Sequence, residues 1–427
     1  MNPAAGAFEP FGVPFEFVLF ALMLAGVAAF HHRTLEVALA GLGAILAYKL
    51  AFAGIHGIPG FAGLAQHLAG EWVVLANLFG LLMGFALLSR HFEESRVPDV
   101  LPVLLPDDWR GGFVLLVLVF VLSSFLDNIA AALIGGTVAA AVYRRRVHLG
   151  YLAALVAASN AGGSGSVVGD TTTTMMWIDG VSPMDVLHAY VAAGTALVVF
   201  GIPASMQQQR HAPIACAAMA GVRIDWARVL VVGLILATAI AVNVTINVAY
   251  PALADRFPFI GSAVWVALLL AAPLRRPDWT VIPATLRGTA FLLSLVLAAS
   301  LMPVERLPSA SWVSAFGLGF VSAVFDNIPL TKLALEQGGY DWGMLAYAVG
   351  FGGSMIWFGS SAGVALTNLF PEGRSVTGWL RAGWHVVLAY VVGFFVMLAV
   401  AGWQPHVPHR EPPSPPGSSS GPPEAAS

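Results

Sequence analysis

Charge is scarce in this sequence. Lys and Arg number 20 and Asp and Glu 23, together 10% of 427 residues, whereas a soluble domain carries about 25%. Cysteine is scarcer: Cys216 stands alone, which excludes an intrachain disulfide, a CxxC metal site and a thiol pair. The HExxH, GxSxG and P-loop patterns are missing, so the sequence carries no mark of a metalloprotease, an α/β-hydrolase or a nucleotide-driven pump. An enzyme is therefore not expected, nor a resident cofactor. The basic residues flank apolar runs instead of forming a patch, which gives no reason to expect nucleic acid as a partner. The apolar stretch 14–30 lacks a basic n-region and a small-residue cleavage site, and reads as a first span, not a cleaved signal.

Apolar residues are what the chain has in quantity. They make up 58% of it, in runs that approach the ~20 residues needed to cross a ~30 Å hydrocarbon core. The expected fold is an all-α polytopic membrane protein lying in the lipid bilayer, with the cell's inner (plasma) membrane as its location. Spans are expected at 14–30, 35–55, 72–89, 183–206, 229–250, 258–274, 281–302 and 380–402. Two blocks, 149–178 and 343–369, read as broken helices interrupted at Asn160–Gly165 and Gly350–Gly353. Two more, 112–143 and 311–336, are too long for one span and short for two, with interruptions at Ser123–Asn128 and Ala323–Asn327.

Charge placement decides how those last two blocks run. Arg110 precedes the first and Arg144, Arg145 and Arg146 follow it, so both its ends are expected on the cytoplasmic side. It reads as a re-entrant hairpin, and the second block as a hairpin entering from the opposite side. With both termini outside, fourteen of the twenty Lys and Arg fall in cytoplasmic segments and three outside, a strong positive-inside bias. Each half is then five spans plus a hairpin, in opposite orientation: an inverted repeat of 1–206 and 229–402. Residues 207–228 read as a cytoplasmic linker and 403–427, rich in Pro, Ser and Gly, as a disordered tail.

Echoes between the halves carry the chemistry. Phe120 to Ile129 contains Ser123, Ser124, Asp127 and Asn128, while Phe320 to Ile328 contains Asp326 and Asn327. Gly162-Gly163-Ser164 precedes Gly169-Asp170-Thr171, and Gly352-Gly353-Ser354 precedes Gly359-Ser360-Ser361 at the same spacing. A third echo places Tyr190 and Tyr390 in the last span of each half. Glycine permits unwinding, and broken backbone is tolerated at membrane depth only where it is buried in protein or lines a cavity. A carboxylate there costs a few kcal/mol even on the milder insertion scale, so its default reading is functional. Asp127, Asp326 and Asp170 are the candidate ion- or proton-coupling groups. Ser123, Ser124, Asn128, Ser159, Asn160, Ser164, Thr171, Asn327, Ser354, Ser360 and Ser361, with the unwound backbone at Gly162, Gly163, Gly352 and Gly353, are candidate substrate or cation ligands. Hard oxygens beside carboxylates suit Na+, or H+ competing for the same groups, with Asp127, Asn128, Asp326 and Asn327 as Na+ candidates.

Structural roles suit the same residues. Asp127, Asp326 and Asp170 are good helix N-caps. Asn243 and Asn247, four apart in one span, suit interhelical hydrogen bonding. His188 and His385 are candidates for proton exchange or for simple packing. Lys332, six residues past Asp326, is an ion-pair partner, an anion contact or a snorkelling side chain.

These motifs resemble the ion transporter superfamily. Ser123-Ser-Phe-Leu-Asp127-Asn128-Ile129, Gly169-Asp170-Thr-Thr-Thr-Thr-Met-Met-Trp177-Ile178 and Asp326-Asn327-Ile328-Pro329 look most like NhaD-type sodium/proton antiporters and, after them, citrate-transporter-like members. The resemblance covers roughly 110–205 and 311–400. It implies an elevator-type carrier, often a homodimer, in which Asp127 and Asp326 couple cation or proton movement. Na+(Li+)/H+ antiport is the leading expectation. Na+- or H+-coupled uptake of citrate or another small carboxylate is the alternative, weakened by Ala161 where carboxylate carriers have Thr and by Lys332 as the one fixed cation nearby.

Overall fold

The computed structural model describes residues 8–30, 33–55, 57–100, 105–166, 169–214, 223–250, 253 and 256–406, with no β-strand among them. Cys216 with the rest of linker residues 215–222, the Asn247 side chain and the tail from 407 onward lie outside the described residues. Among the described residues six helical stretches are long and apolar enough to cross a membrane; the chain is a multi-pass, helical membrane protein. The first half contains α1 (Phe15–Ala29), α2 (Thr34–Tyr48), α3 (Gly60–Glu94), α4 (Trp109–Ser123), α5 (Asn128–Val142), α6 (Leu149–Ser164), α7 (Thr171–Ile178) and α8 (Ala189–His211). The second contains α9 (Trp226–Val244), α10 (Phe259–Ala271), α11 (Ile282–Ser300), α12 (Trp312–Ser322), α13 (Asn327–Gln337), α14 (Trp342–Gly352), α15 (Ser361–Leu369) and α16 (Trp384–Ala401).

Aspartate starts many of these helices. Asp108, Asp127, Asp170, Asp225, Asp326 and Asp341 are the N-caps of α4, α5, α7, α9, α13 and α14, each accepting a backbone N–H with its own carboxylate. Such caps satisfy donors that a helix start leaves open. Six of the 23 acidic residues thus start helices, including those that follow the breaks at 124–127 and 323–326.

Two rods form the centre. Every residue of α6 from Gly150 to Ser164 and every residue of α14 is buried. Ala and Gly dominate α6, which lets neighbours approach closely. Around them pack α4, α5, α8, α12, α13 and α16, with α8 lying along α16. The remaining helices flank this bundle: α3, α9 and α10 pack together, while α1, α2 and the end of α11 share a separate apolar core around Phe20, Ile45 and Leu295. At 1.5 Å per residue the 15-residue helices α4 and α5 are about 22 Å long, and the 11-residue helices α12 and α13 about 16 Å. Each is shorter than a hydrocarbon core of ~30 Å.

Several boundaries differ from expectation. The third span is far longer than 72–89, running from Gly60 to Glu94, because the stretch before it, though broken by His67 and Glu71, keeps helical hydrogen bonding. The interruptions expected at Asn160–Gly165 and Gly350–Gly353 fall later: α6 continues to Ser164 and α14 to Gly352, and the breaks are 165–170 and 353–360. Gly162 and Gly352 are helical because they serve packing. A Cβ at Gly162 would collide with the Phe120 carbonyl of α4, and one at Gly352 with the Gly319 carbonyl of α12. The linker is shorter than 207–228, since α8 runs to His211 and α9 opens at Trp226. The first residues of the expected tail are ordered: Gln404 N–H donates to Asp341 Oδ2 at 2.9 Å and His406 N–H to the Tyr340 carbonyl at 3.1 Å.

Candidate functional site

The N-terminus of α7 places Asp170 where the breaks of the two halves meet. Its Oδ1 accepts from Asn128 Nδ2 of α5 at 3.2 Å, and its Oδ2 from Thr172 Oγ1 at 2.8 Å. Asn327 Nδ2 of α13 completes the set at 3.4 Å from Oδ2. One carboxylate therefore receives an amide from each half. Asp170, Asn128 and Asn327 are all buried, so hydrogen bonding is what makes their desolvation tolerable.

Asn160 ties the second half in. Its Oδ1 accepts from Asn128 at 3.0 Å, and its Nδ2 donates to Ser354 Oγ at 2.9 Å and Ser360 Oγ at 3.1 Å. The relation is reciprocal. Asn160 on α6 faces Ser360, the cap of α15, while Gly350 on α14 faces Asp170, the cap of α7. A Cβ built on Gly350 would sit 3.2 Å from Asp170 Oδ2. The last turn of each central rod thus abuts the cap of the other half's broken helix, and the carboxylate stands on one side only.

Asp127 and Asp326 flank this centre. Each caps its helix, accepting from Ile129 N–H at 3.2 Å and Ile328 N–H at 3.0 Å respectively, and Ser361 Oγ donates to Asp326 Oδ2 at 3.5 Å. Both are half-buried, and both lie within electrostatic reach of Asp170. Three carboxylates held so close in a low-dielectric setting call for a compensating cation or proton.

Other candidates are turned elsewhere. Ser123 Oγ donates to the Ser159 carbonyl, Ser124 Oγ to the Gly162 carbonyl, Ser159 Oγ to the Val156 carbonyl and Ser164 Oγ to the Ala161 carbonyl. These hydroxyls brace helices. Gly163 and Gly353 let Gly169 and Gly359 pass close by, each with a carbonyl 2.7 Å from where a Cβ would be. They shape the breaks and offer no side-chain ligand.

Two cavities reach the centre. The first, about 330 Å³, is lined by Asp127, Asn128, Asp170, Thr171 and Asn327 and extends along α3 from Leu78 to Arg90 and Glu93. The second, about 570 Å³, holds Asp326, Ser360 and Asn368. Ile129, Gly288, Leu292 and Ser361 line both. The two flanking aspartates therefore face different spaces.

No protein-family model matches the chain. Sodium/proton antiporter 1 of Arabidopsis thaliana is 27% identical over 438 aligned positions, covering 90% of this chain and 72% of that protein. Sodium/proton antiporter 2 of the same plant is 27% identical over 77% of this chain and 83% of its own length. The Na(+)/H(+) antiporter NhaD of Alkalimonas amylolytica is 26% identical over 69% of this chain and 68% of its own length. The chain is thus similar over most of its length to proteins named as sodium/proton antiporters, NhaD among them.

Some partners within the site are not legible in the sequence. Thr172, not Thr171, donates to Asp170, whereas Thr171 lines the cavity. Four consecutive threonines look alike until the helix phase is fixed by the cap. Lys332 does not serve Asp326: it lies 2.9 Å from Glu71 and close to Glu336. Glu336 is legible from its i,i+4 spacing, but Glu71 is 261 positions away. His188 Nε2 lies 2.7 Å from Asp341 Oδ1, and His385 Nε2 3.3 Å from Gln207 Oε1. Both histidines bridge helices away from the carboxylate cluster.

Proposed function

We propose that this chain is a secondary active transporter of the inner membrane that exchanges Na+ (or Li+) for H+ at the Asp170 cluster. One observation carries the proposal: a buried carboxylate clasped by Asn128 and Asn327 from two separate helix breaks, at the head of a cavity. Carboxylate, amide and hydroxyl oxygens are hard donors suited to a small hard cation. Asp127, Asp170 and the oxygens of Asn128, Asn327 and Thr171 would hold the cation. Protons would replace it on the same carboxylates, so that one species leaves as the other binds. Asp326, beside Ser361, acts from the other side of the cluster.

The architecture that fits this activity is an inverted repeat working as an elevator, with a homodimer as the proposed assembly. Support comes from the reciprocal contacts of Asn160 with Ser360 and of Gly350 with Asp170. The short helices α4, α5, α12 and α13 suit re-entrant hairpins, and the distribution of basic residues suits outside termini. The relatives give the carboxylate-carrier alternative no support, and Lys332, the cation it would use, is engaged by two glutamates.

The test uses purified protein in proteoliposomes with a trapped pH dye and an imposed proton gradient. Na+ or Li+ should collapse the gradient, K+ and citrate should not, and Asp170→Asn and Asp127→Asn should each abolish the response. A response to citrate alone, or exchange undiminished in both variants, would overturn the proposal.

A further inference from the structure

We propose that Lys332, Glu71 and Glu336 form a charged gate that seals the cation site on the side opposite the first cavity. The inference rests on the elevator reading above, in which the site is opened to each side in turn (alternating access), and adds the element that holds the structure in its present state.

The cavity occupies one end of an α3 face, from Leu78 to Glu93. Glu71 lies seven residues before Leu78, two helical turns and about 10 Å further along α3. There it meets Lys332 of α13 at 2.9 Å, and Glu336, one turn on from Lys332, closes the cluster at 2.6 Å. The Asp179 carboxylate, just past α7, also acts on the lysine. Exposure rises outward through the cluster: the side chain is 2% exposed at Lys332, 17% at Glu71 and 27% at Glu336. The ammonium is thus a stopper under a rim of carboxylates.

The contact joins two groups of helices. Glu71 belongs to α3, which packs with α9 and α10; Lys332 belongs to α13, whose first residue is Asn327 of the site, and α11 touches both α3 and α13. Exposing the site at this end requires α13 to move relative to α3, and that movement must break the Lys332–Glu71 pair. A buried ion pair is weak as a source of net stability, yet breaking it while its members stay buried is expensive. It therefore discriminates between states more than it stabilises the fold.

The experiment places a cysteine at Leu133, a cavity-lining residue of α5 outside the cluster, in a Cys216→Ala background of the full chain. A membrane-impermeant maleimide is applied to each face of oriented vesicles, with and without Na+. In the parent, labelling should be faster from the face at which Arg90 lies and should redistribute between faces as Na+ is varied. In Lys332→Met, and in the uncharged triple variant Lys332→Met/Glu71→Gln/Glu336→Gln, the ratio of rates should move toward the opposite face by about tenfold. The triple variant removes the two glutamate charges together with the lysine's, so it keeps the test available if Lys332→Met folds poorly. Glu71→Gln and Lys332→Met should be non-additive when combined. Unchanged ratios in the folded variants, or additive effects, would overturn the gate. Labelling that never redistributes in the parent would instead overturn the alternating-access reading.

Discussion

Asn160 is the side chain on which the two halves most directly depend. It accepts from Asn128 and donates to Ser354 and Ser360, so a change there reaches Asp170 through Asn128. Asn160→Ala should raise the Na+ KM about 10- to 100-fold, the usual effect of losing a group that orients a ligand, measured as Na+-dependent collapse of a pH gradient. Thr172→Val, which keeps shape but removes the donor to Asp170 Oδ2, should act in the same direction, whereas Ser164→Ala, whose hydroxyl faces the Ala161 carbonyl, should leave the KM unchanged. Asp127, Asp170 and Asp326 were legible in the sequence because an acid inside an apolar run has few innocent explanations. Their ranking was not. The sequence favoured the duplicated Asp-Asn pairs, while the structure puts Asp170, whose counterpart is Ser360, at the centre of the hydrogen bonds. Spacing shows that positions correspond, but not which of them points inward.

At the scale of elements, glycine does in this chain what the hydrophobic pattern cannot. Gly169 passes so close to the Ser123 carbonyl that a Cβ would collide with it, and a backbone atom cannot swing aside. Gly169→Ala should destabilise the protein by more than about 3 kcal/mol, seen as a lowered melting temperature in detergent. The helix starts make a second prediction. Asp225 caps α9, and its hydrogen bonds from the Arg275 side chain hold its carboxyl below the ordinary range. A depressed carboxylate contributes stability above its unfolded pKa, about 3.9, and loses it only as pH falls through the lower folded value. Asp225→Asn should therefore lower the melting temperature without altering the pH profile of exchange between pH 6 and 9; a displaced profile would show that this half-buried group takes part in coupling. The caps at Asp127, Asp170 and Asp326 are readable in the sequence, but those at Asp108, Asp225 and Asp341 and the ends of α6 and α14 are not. Gly-Gly is the same dipeptide whether it unwinds a helix or lets another helix touch it.

At the scale of the molecule, the long apolar runs announced the class and most of the spans. The pairings of α3 with α13 and of α6 with α14 could not be read that way, since contacts across hundreds of positions leave no periodic trace. The same holds for the two cavities, which exist only once the helices are packed. The packing has a practical consequence. The two halves are joined by a linker, yet α8 lies along α16, a Cβ at Gly393 would come within 2.7 Å of the Ala192 carbonyl, and α6 and α14 share the buried centre. The halves grip each other through the bundle. Two polypeptides, one ending at residue 214 and the other starting at residue 223, should therefore find each other when co-expressed. They should co-purify through a tag on either one and restore exchange, as a transporter made of two chains.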